Sequence, residues 1–224
     1  RLRAAVEERA LPAIDRLGLQ DDAYALVRGG YLPATTFLEL AQAYTGETDA
    51  TVWGELASNL RGVEALTVDQ PYHGGFARYA LPLFQDVVQR VGWDARPGEG
   101  HLDALLRSTA LGQAGGYGHP EVLAQATERF SWFQREKTSL HPDLRGVVVG
   151  LVAQEGGQEA YDTFWRLYLE AELQEEKVRY LGALARFKRP RLIKFVTDFP
   201  KTPIGKIQKN VLKAPYWEQR AKKI

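Results

Sequence analysis

The sequence predicts a mostly α protein, an α-solenoid of HEAT-like helical pairs with a small α/β appendix at its C-terminus. Three observations point there. Apolar residues recur at helical spacing in one segment after another as far as Ala185. The punctuation between segments is brief and made of glycine, proline and capping residues, which leaves room only for antiparallel neighbours. From Arg186 onward both the periodicity and the charge change. No fixed repeat signature recurs, so an irregular helical bundle is the alternative architecture.

The elements follow in order. Arg1 to Leu17 reads as a helix closed by Gly18, and Asp21 to Arg28 as a second closed by Gly29 and Gly30. Thr35 to Tyr44 opens with a hydroxyl cap after Pro33, and Asp49 to Arg61 opens on Asp49 or Thr51. A long segment from Pro71 to Val91 stops at Gly92. Leu102 to Gly115 carries Leu102, Leu105, Leu106 and Thr109 on one stripe. Pro120 to Lys137, Pro142 to Gln154, Gln158 to Leu169 and Leu173 to Ala185 complete the helices. Trp53, Trp93, Trp132 and Trp165 are expected in the core, where an indole buries much area and its N–H finds a partner. After Pro190, Leu192 to Val196 reads as a short strand, followed by a Pro/Gly loop and a last helix around Lys209 to Lys213.

Charge divides the chain in the same place. From Arg186 there are 12 basic residues against only Asp198 and Glu218, a net +10, while the whole chain carries +1, so the part before it carries −9. No apolar run approaches twenty residues, so no membrane partner is expected. The absence of cysteine excludes disulfides and thiolate metal sites and fits a cytoplasmic protein. The basic tail matches no nucleic-acid-binding module and reads as a solvated face, with no nucleic acid as partner. The chain starts at Arg1 and has no methionine, so it reads as a piece of a larger gene product.

Many separate stretches match one family in order. They are Ile14 to Ala23, Gly30-Tyr31-Leu32, Leu38-Glu39-Leu40, Tyr44, Glu47-Thr48-Asp49, Val52-Trp53, Leu105-Leu106-Arg107, Pro142 to Arg145 and Glu176-Lys177. Residues 1–185 thereby resemble the C-terminal helical domain of zinc aminopeptidases of the aminopeptidase N and puromycin-sensitive type. The resemblance implies a bowl that caps a thermolysin-like zinc domain and encloses a peptide substrate, with zinc held upstream and no metal or cofactor in this chain. The catalytic domain of such enzymes needs H-E-x-x-H on a helix. His73, His101, His119 and His141 show no such spacing, and His73 and His119 read as loop or cap residues. Arg107 and Arg145 each follow a leucine near a helical seam, where each either braces neighbouring helices or meets the peptide's C-terminal end.

A second resemblance covers residues 186–224. Leu184 to Pro190, Phe195-Val196, Phe199 to Lys209 and Leu212 resemble the extreme C-terminus of adenylate-forming enzymes of the acyl-CoA synthetase type. It implies that Lys206 occupies the place of an adenylation lysine, supported in its loop by Thr202 and Gly205. An ammonium there would hold a carboxylate and the α-phosphate of ATP together, with ATP/Mg and CoA as cofactors under this reading alone. The phosphate loop, adenine motif and ribose motif of such enzymes are missing from the sequence.

The leading expectation is a non-catalytic, substrate-enclosing helical domain whose peptidase activity requires a zinc domain outside this chain. The alternatives are a ligase C-terminal piece contributing Lys206, or a chimera joined near Leu184 to Phe187 with no selected activity. Ending the helical stack at Ala185 leaves the apolar face of its last pair open. That edge is expected either to pack against Leu192 to Val196 or to promote self-association.

Overall fold

The computed structural model describes residues 1–68 and 70–187, together with Pro200, Lys201, Gln208 and Val211. Ten α-helices fill the first stretch: α1 (Leu2–Glu7), α2 (Ala13–Arg28), α3 (Ala34–Ala41), α4 (Ala50–Ala65), α5 (His73–Val91), α6 (His101–Gly116), α7 (Pro120–Arg135), α8 (Pro142–Glu155), α9 (Gln158–Glu170) and α10 (Gln174–Arg186). Short 3-10 turns follow α3 at Gln42–Tyr44 and α7 at Lys137–Ser139. The chain divides into two units, Arg1–Phe187 and Lys188–Ile224. The strand expected at Leu192 to Val196 and the helix expected at Lys209 to Lys213 fall outside the described residues, apart from Val211.

Helix ends are where the sequence chemistry is most visible. Asp49 caps α4, its carboxylate accepting from the backbone N–H of Thr51 at 2.8 Å and of Val52 at 3.1 Å. Pro120 and Pro142 stand at the first positions of α7 and α8, where a missing N–H costs nothing. Gly92 closes α5 with φ +58, and Asp103 in the first turn of α6 accepts from the Gly100 N–H at 2.8 Å.

The expected break at Gly18 is a correction. The chain turns at Arg9, whose φ is +52, and α2 then runs through Gly18 without interruption. A proline inside a helix forfeits a hydrogen bond and clashes with the preceding turn, about 3 kcal/mol, against about 1 kcal/mol for glycine. Pro12 therefore sets the boundary. Pro82 is tolerated inside α5 on an exposed face, where water can serve the freed carbonyl.

The even-numbered helices stack side by side, α2 on α4, α4 on α6, α6 on α8 and α8 on α10. The odd-numbered helices form a second layer, α5 packing on α6, α7 on α8 and α9 on α10. This is a solenoid-like succession of helical hairpins. One continuous core runs from Val6 to Leu184. Trp53 meets Phe84 with ring centroids 5.2 Å apart, Phe84 meets Tyr117, and Phe130 meets Phe164 at 5.1 Å. Two sequence expectations change. Trp132 is 46% exposed, and Leu102 and Leu105 are also exposed, because α6 buries Leu106, Ala110, Leu111 and Ala114 instead. A helix flanked by neighbours on three sides buries a different arc from the one a single amphipathic stripe suggests.

The first pairs are pinned by a buried ion pair. The Arg16 guanidinium donates to both Glu47 oxygens, Nε at 2.6 Å and Nη2 at 2.8 Å, and also to the Leu11 carbonyl. The same carboxylate accepts from the N–H of Thr48 and Asp49, while the Glu47 carbonyl accepts from Trp53 Nε1 and Arg90. Burial alone would raise the Glu47 pKa, but Arg16 and the two N–H donors outweigh it and hold it below the usual 4.5.

A carboxyl whose pKa is lowered by folding stabilises the fold fully above its unfolded value and loses that stabilisation as pH falls through its folded value. Urea unfolding of the chain should therefore show stability falling as pH drops below 4.5. Glu47→Gln should cost about 3–5 kcal/mol at pH 7 and flatten that acid limb. The α2–α4 contact is equally tight, since a Cβ on Gly62 would sit 1.8 Å from the Tyr24 hydroxyl oxygen. Gly62→Ala should destabilise by about 1–3 kcal/mol in the same assay.

Candidate functional site

Residues of α4, α6, α8 and α10 line a groove of about 440 Å³ that crosses the stacked even-numbered layer. Its floor is glycine. Gly112 and Gly116 on α6 stand one turn apart, as do Gly146 and Gly150 on α8, so helix backbone rather than side chain faces the space. A Cβ on Gly150 would lie 3.3 Å from Arg186 Cζ, so the guanidinium of Arg186 rests directly on α8. Gln154 spans the seam by donating to the Gly116 carbonyl at 3.1 Å. Gln113 is anchored on the Ala57 carbonyl at 2.9 Å.

Charge is concentrated at the two ends. Arg61 and Glu64 project from α4 and Arg186 from α10. Burial raises the Glu64 pKa, with His73 and Arg61 opposing it. Tyr117 lines the same groove; it is only 6% exposed, and its hydroxyl finds no hydrogen-bond partner among the described residues. Burial pushes its pKa well up, and the Glu64 charge adds to this. A buried hydroxyl without a partner costs free energy.

A second recess of about 450 Å³ opens between the α5–α6 and α7–α8 connections, lined by Trp93, Glu99, Arg107, Arg129 and His141 among others. Here the expected candidates Arg107 and Arg145 can be placed. Arg107 is 4% exposed; its guanidinium donates to the Val91 carbonyl at the end of α5 at 3.1 and 3.2 Å and pairs with Glu99. That pairing is the main cause holding the Glu99 pKa below the usual carboxylate range. Arg145 donates to the carbonyls of Leu140 at 3.3 Å and Lys137 at 3.1 Å, and its guanidinium lies 5.4 Å from the centre of the Phe133 ring. Arg107 thus ties α6 to the end of α5, and Arg145 ties α8 to the connection before it and to α7.

Lys206, Thr202 and Gly205 lie outside the described residues; nearby, the Gln208 N–H donates to the Pro200 carbonyl at 2.7 Å. The histidines are dispersed. His73 Nδ1 meets the Thr67 hydroxyl at 2.8 Å, while His119 and His141 stand at the N-caps of α7 and α8. Among the described residues no three His, Cys, Asp or Glu side chains gather as metal ligands, so the zinc expected in a whole aminopeptidase has no fitting site in them. No helix among them is long and apolar enough to cross a membrane. Sequence reasoning passed over Arg61, Glu64, Tyr117 and the groove-facing position of Arg186. The legible signal was the pair of glycines one turn apart on each of two helices.

The described residues thus form a two-layered helical stack crossed by an open, partly polar groove. The sequence of residues 1–213 matches the ERAP1-like C-terminal domain, and the chain belongs to that family. It is 37% identical over 210 residues to Aminopeptidase M1-A of Oryza sativa subsp. japonica, covering 91% of this chain and 24% of that protein. It is 34% identical to Aminopeptidase M1 of Arabidopsis thaliana, covering 88% and 23%. To the Puromycin-sensitive aminopeptidase of Caenorhabditis elegans it is 24% identical, covering 84% and 20%. The chain thus spans about a quarter or less of the length of these relatives. The family match continues to residue 213, past the junction expected at Leu184 to Phe187.

Arg107→Ala should destabilise the chain by about 2 kcal/mol, since it strips the Val91 carbonyl and Glu99 of their buried donor. Arg186→Ala, at an exposed position, should leave the thermal midpoint within about 1 °C of the unmodified chain. Differential scanning calorimetry of the two variants checks both.

Proposed function

We propose that this chain forms a wall of the substrate chamber of a zinc aminopeptidase, enclosing the peptide while a zinc domain outside these residues cleaves its N-terminal residue. Membership of the ERAP1-like C-terminal domain family supports this, and the observation that carries it is the groove across α4, α6, α8 and α10. A glycine floor admits an extended backbone close to the helices, the amides of Gln113 and Gln154 line its course, and Arg186 offers charge to a peptide's carbonyls or carboxylate. The partners are then a peptide and the zinc-bearing domain, in a cytoplasmic setting that suits a chain without cysteine.

Two subsidiary proposals concern the end of the stack. Leu173, Val178 and Leu181 are exposed on or beside α10, a face suited to self-association. The loop from Pro200 to Ile207, with Lys206, is read as the remnant of an adenylate-forming enzyme on the strength of its sequence motif.

The chamber reading is tested with the purified chain. A fluorescent hexapeptide should bind with an anisotropy change, and Arg186→Ala should weaken that binding about tenfold. An aminoacyl fluorogenic substrate with added zinc should show no turnover. Cleavage abolished by a chelator, or peptide binding indifferent to Arg186, would overturn it.

A further inference from the structure

We infer that the α4 end of the groove reads a basic side chain on the bound peptide, with Glu64 as its counter-ion and Tyr117 as a second, neutral hydrogen-bond partner. This rests on the groove being the peptide's seat. Glu64 and Tyr117 line the same space, and Glu64 is near enough for its charge to be felt at the Tyr117 phenol. Tyr117 has more than nine-tenths of its surface buried, yet its hydroxyl is left without a partner among the described residues.

The pair defines the chemistry of the guest. A carboxylate accepts only, and a phenol both donates and accepts, so the group that satisfies both is a donor with several N–H bonds and a positive charge. An ammonium or guanidinium fits that description. A guest carboxylate would meet Glu64 as a like charge, and an apolar side chain would leave the Tyr117 hydroxyl as costly as before.

Two neighbours oppose a cation here, Arg61 on the same helix and His73 at the start of α5. Arg61 is exposed, so water screens its charge, whereas Glu64 is half-buried and Tyr117 buried. Thr67 holds the His73 imidazole through Nδ1 at 2.8 Å. The guanidinium of Arg186 belongs to the other wall, resting on Gly150 of α8. The groove therefore presents an acidic pocket at α4 and a basic one at α10. A peptide that lays a lysine or arginine side chain at the first and its own carbonyls or carboxylate at the second matches both.

The test uses the purified chain and two labelled hexapeptides, five alanines ending in lysine or in norleucine, which keeps the length of the side chain and drops the charge. The lysine peptide should bind about tenfold more tightly. Glu64→Gln should abolish the difference between the two peptides. Tyr117→Phe should narrow it with a thermal midpoint equal to or above that of the parent, since the hydroxyl it removes holds no partner. Equal affinities for the two peptides, or a lysine preference that survives Glu64→Gln, would overturn the inference and leave the chamber reading standing. Failure of both peptides to bind would overturn both readings.

Discussion

Glu47, between α3 and α4, gathers more of the structure than any other residue. Its carboxylate takes both arms of the Arg16 fork and two backbone N–H groups, while its carbonyl takes the Trp53 indole and Arg90 from α5. Tyr44 closes the arrangement by donating to the Arg16 carbonyl at 2.7 Å. A buried charge survives only where donors saturate it, and here they arrive from α2 and the turn before α4, while donors from α4 and α5 hold the carbonyl. That fixes the angle at which the first hairpins meet. Each later even-numbered helix is laid on the one before, so the groove inherits its geometry from this end of the stack.

Stacking imposes the second constraint. A helix in the even-numbered layer touches a helix on either side and one behind, so little of its surface remains for anything else. Small residues make that possible. Gly62 leaves room for Tyr24, and Gly115 for Leu151, whose nearest carbon would stand 2.5 Å from an added Cβ. On the open side, Gly112, Gly116 and Gly146 leave space beside the groove, while Gly150 lets the Arg186 guanidinium rest on α8. One residue type thus serves packing on one face of the layer and access on the other.

Arginine divides its labour in a similar way. Arg16 and Arg107 are buried and tied to carbonyls and carboxylates, and Arg145 lies on Phe133. Arg61 and Arg186 are exposed at the groove, without a hydrogen bond or ion pair among the described residues. The same guanidinium is a structural strut where its donors are engaged within the protein and an exposed charge where they are not.

The sequence by itself determined the helical class, most helix boundaries and the family, because caps, prolines and apolar spacing act within a few residues of one another. Asp49, Pro120, Pro142 and Gly92 end or begin helices through local backbone chemistry that no distant contact has to supply. It misplaced the first boundary, where Pro12 and Gly18 compete and only their relative costs decide. The partners of Arg107 and Arg145 were beyond it, as was the groove. Val91 and Glu99 lie 16 and 8 residues from Arg107, and the groove draws Arg61, Gly150 and Arg186 from three helices and Tyr117 from the end of a fourth. Which guanidinium is spent inside and which is left facing open space depends on how the hairpins stack. That is a property of long-range packing, and only the tertiary structure decided it.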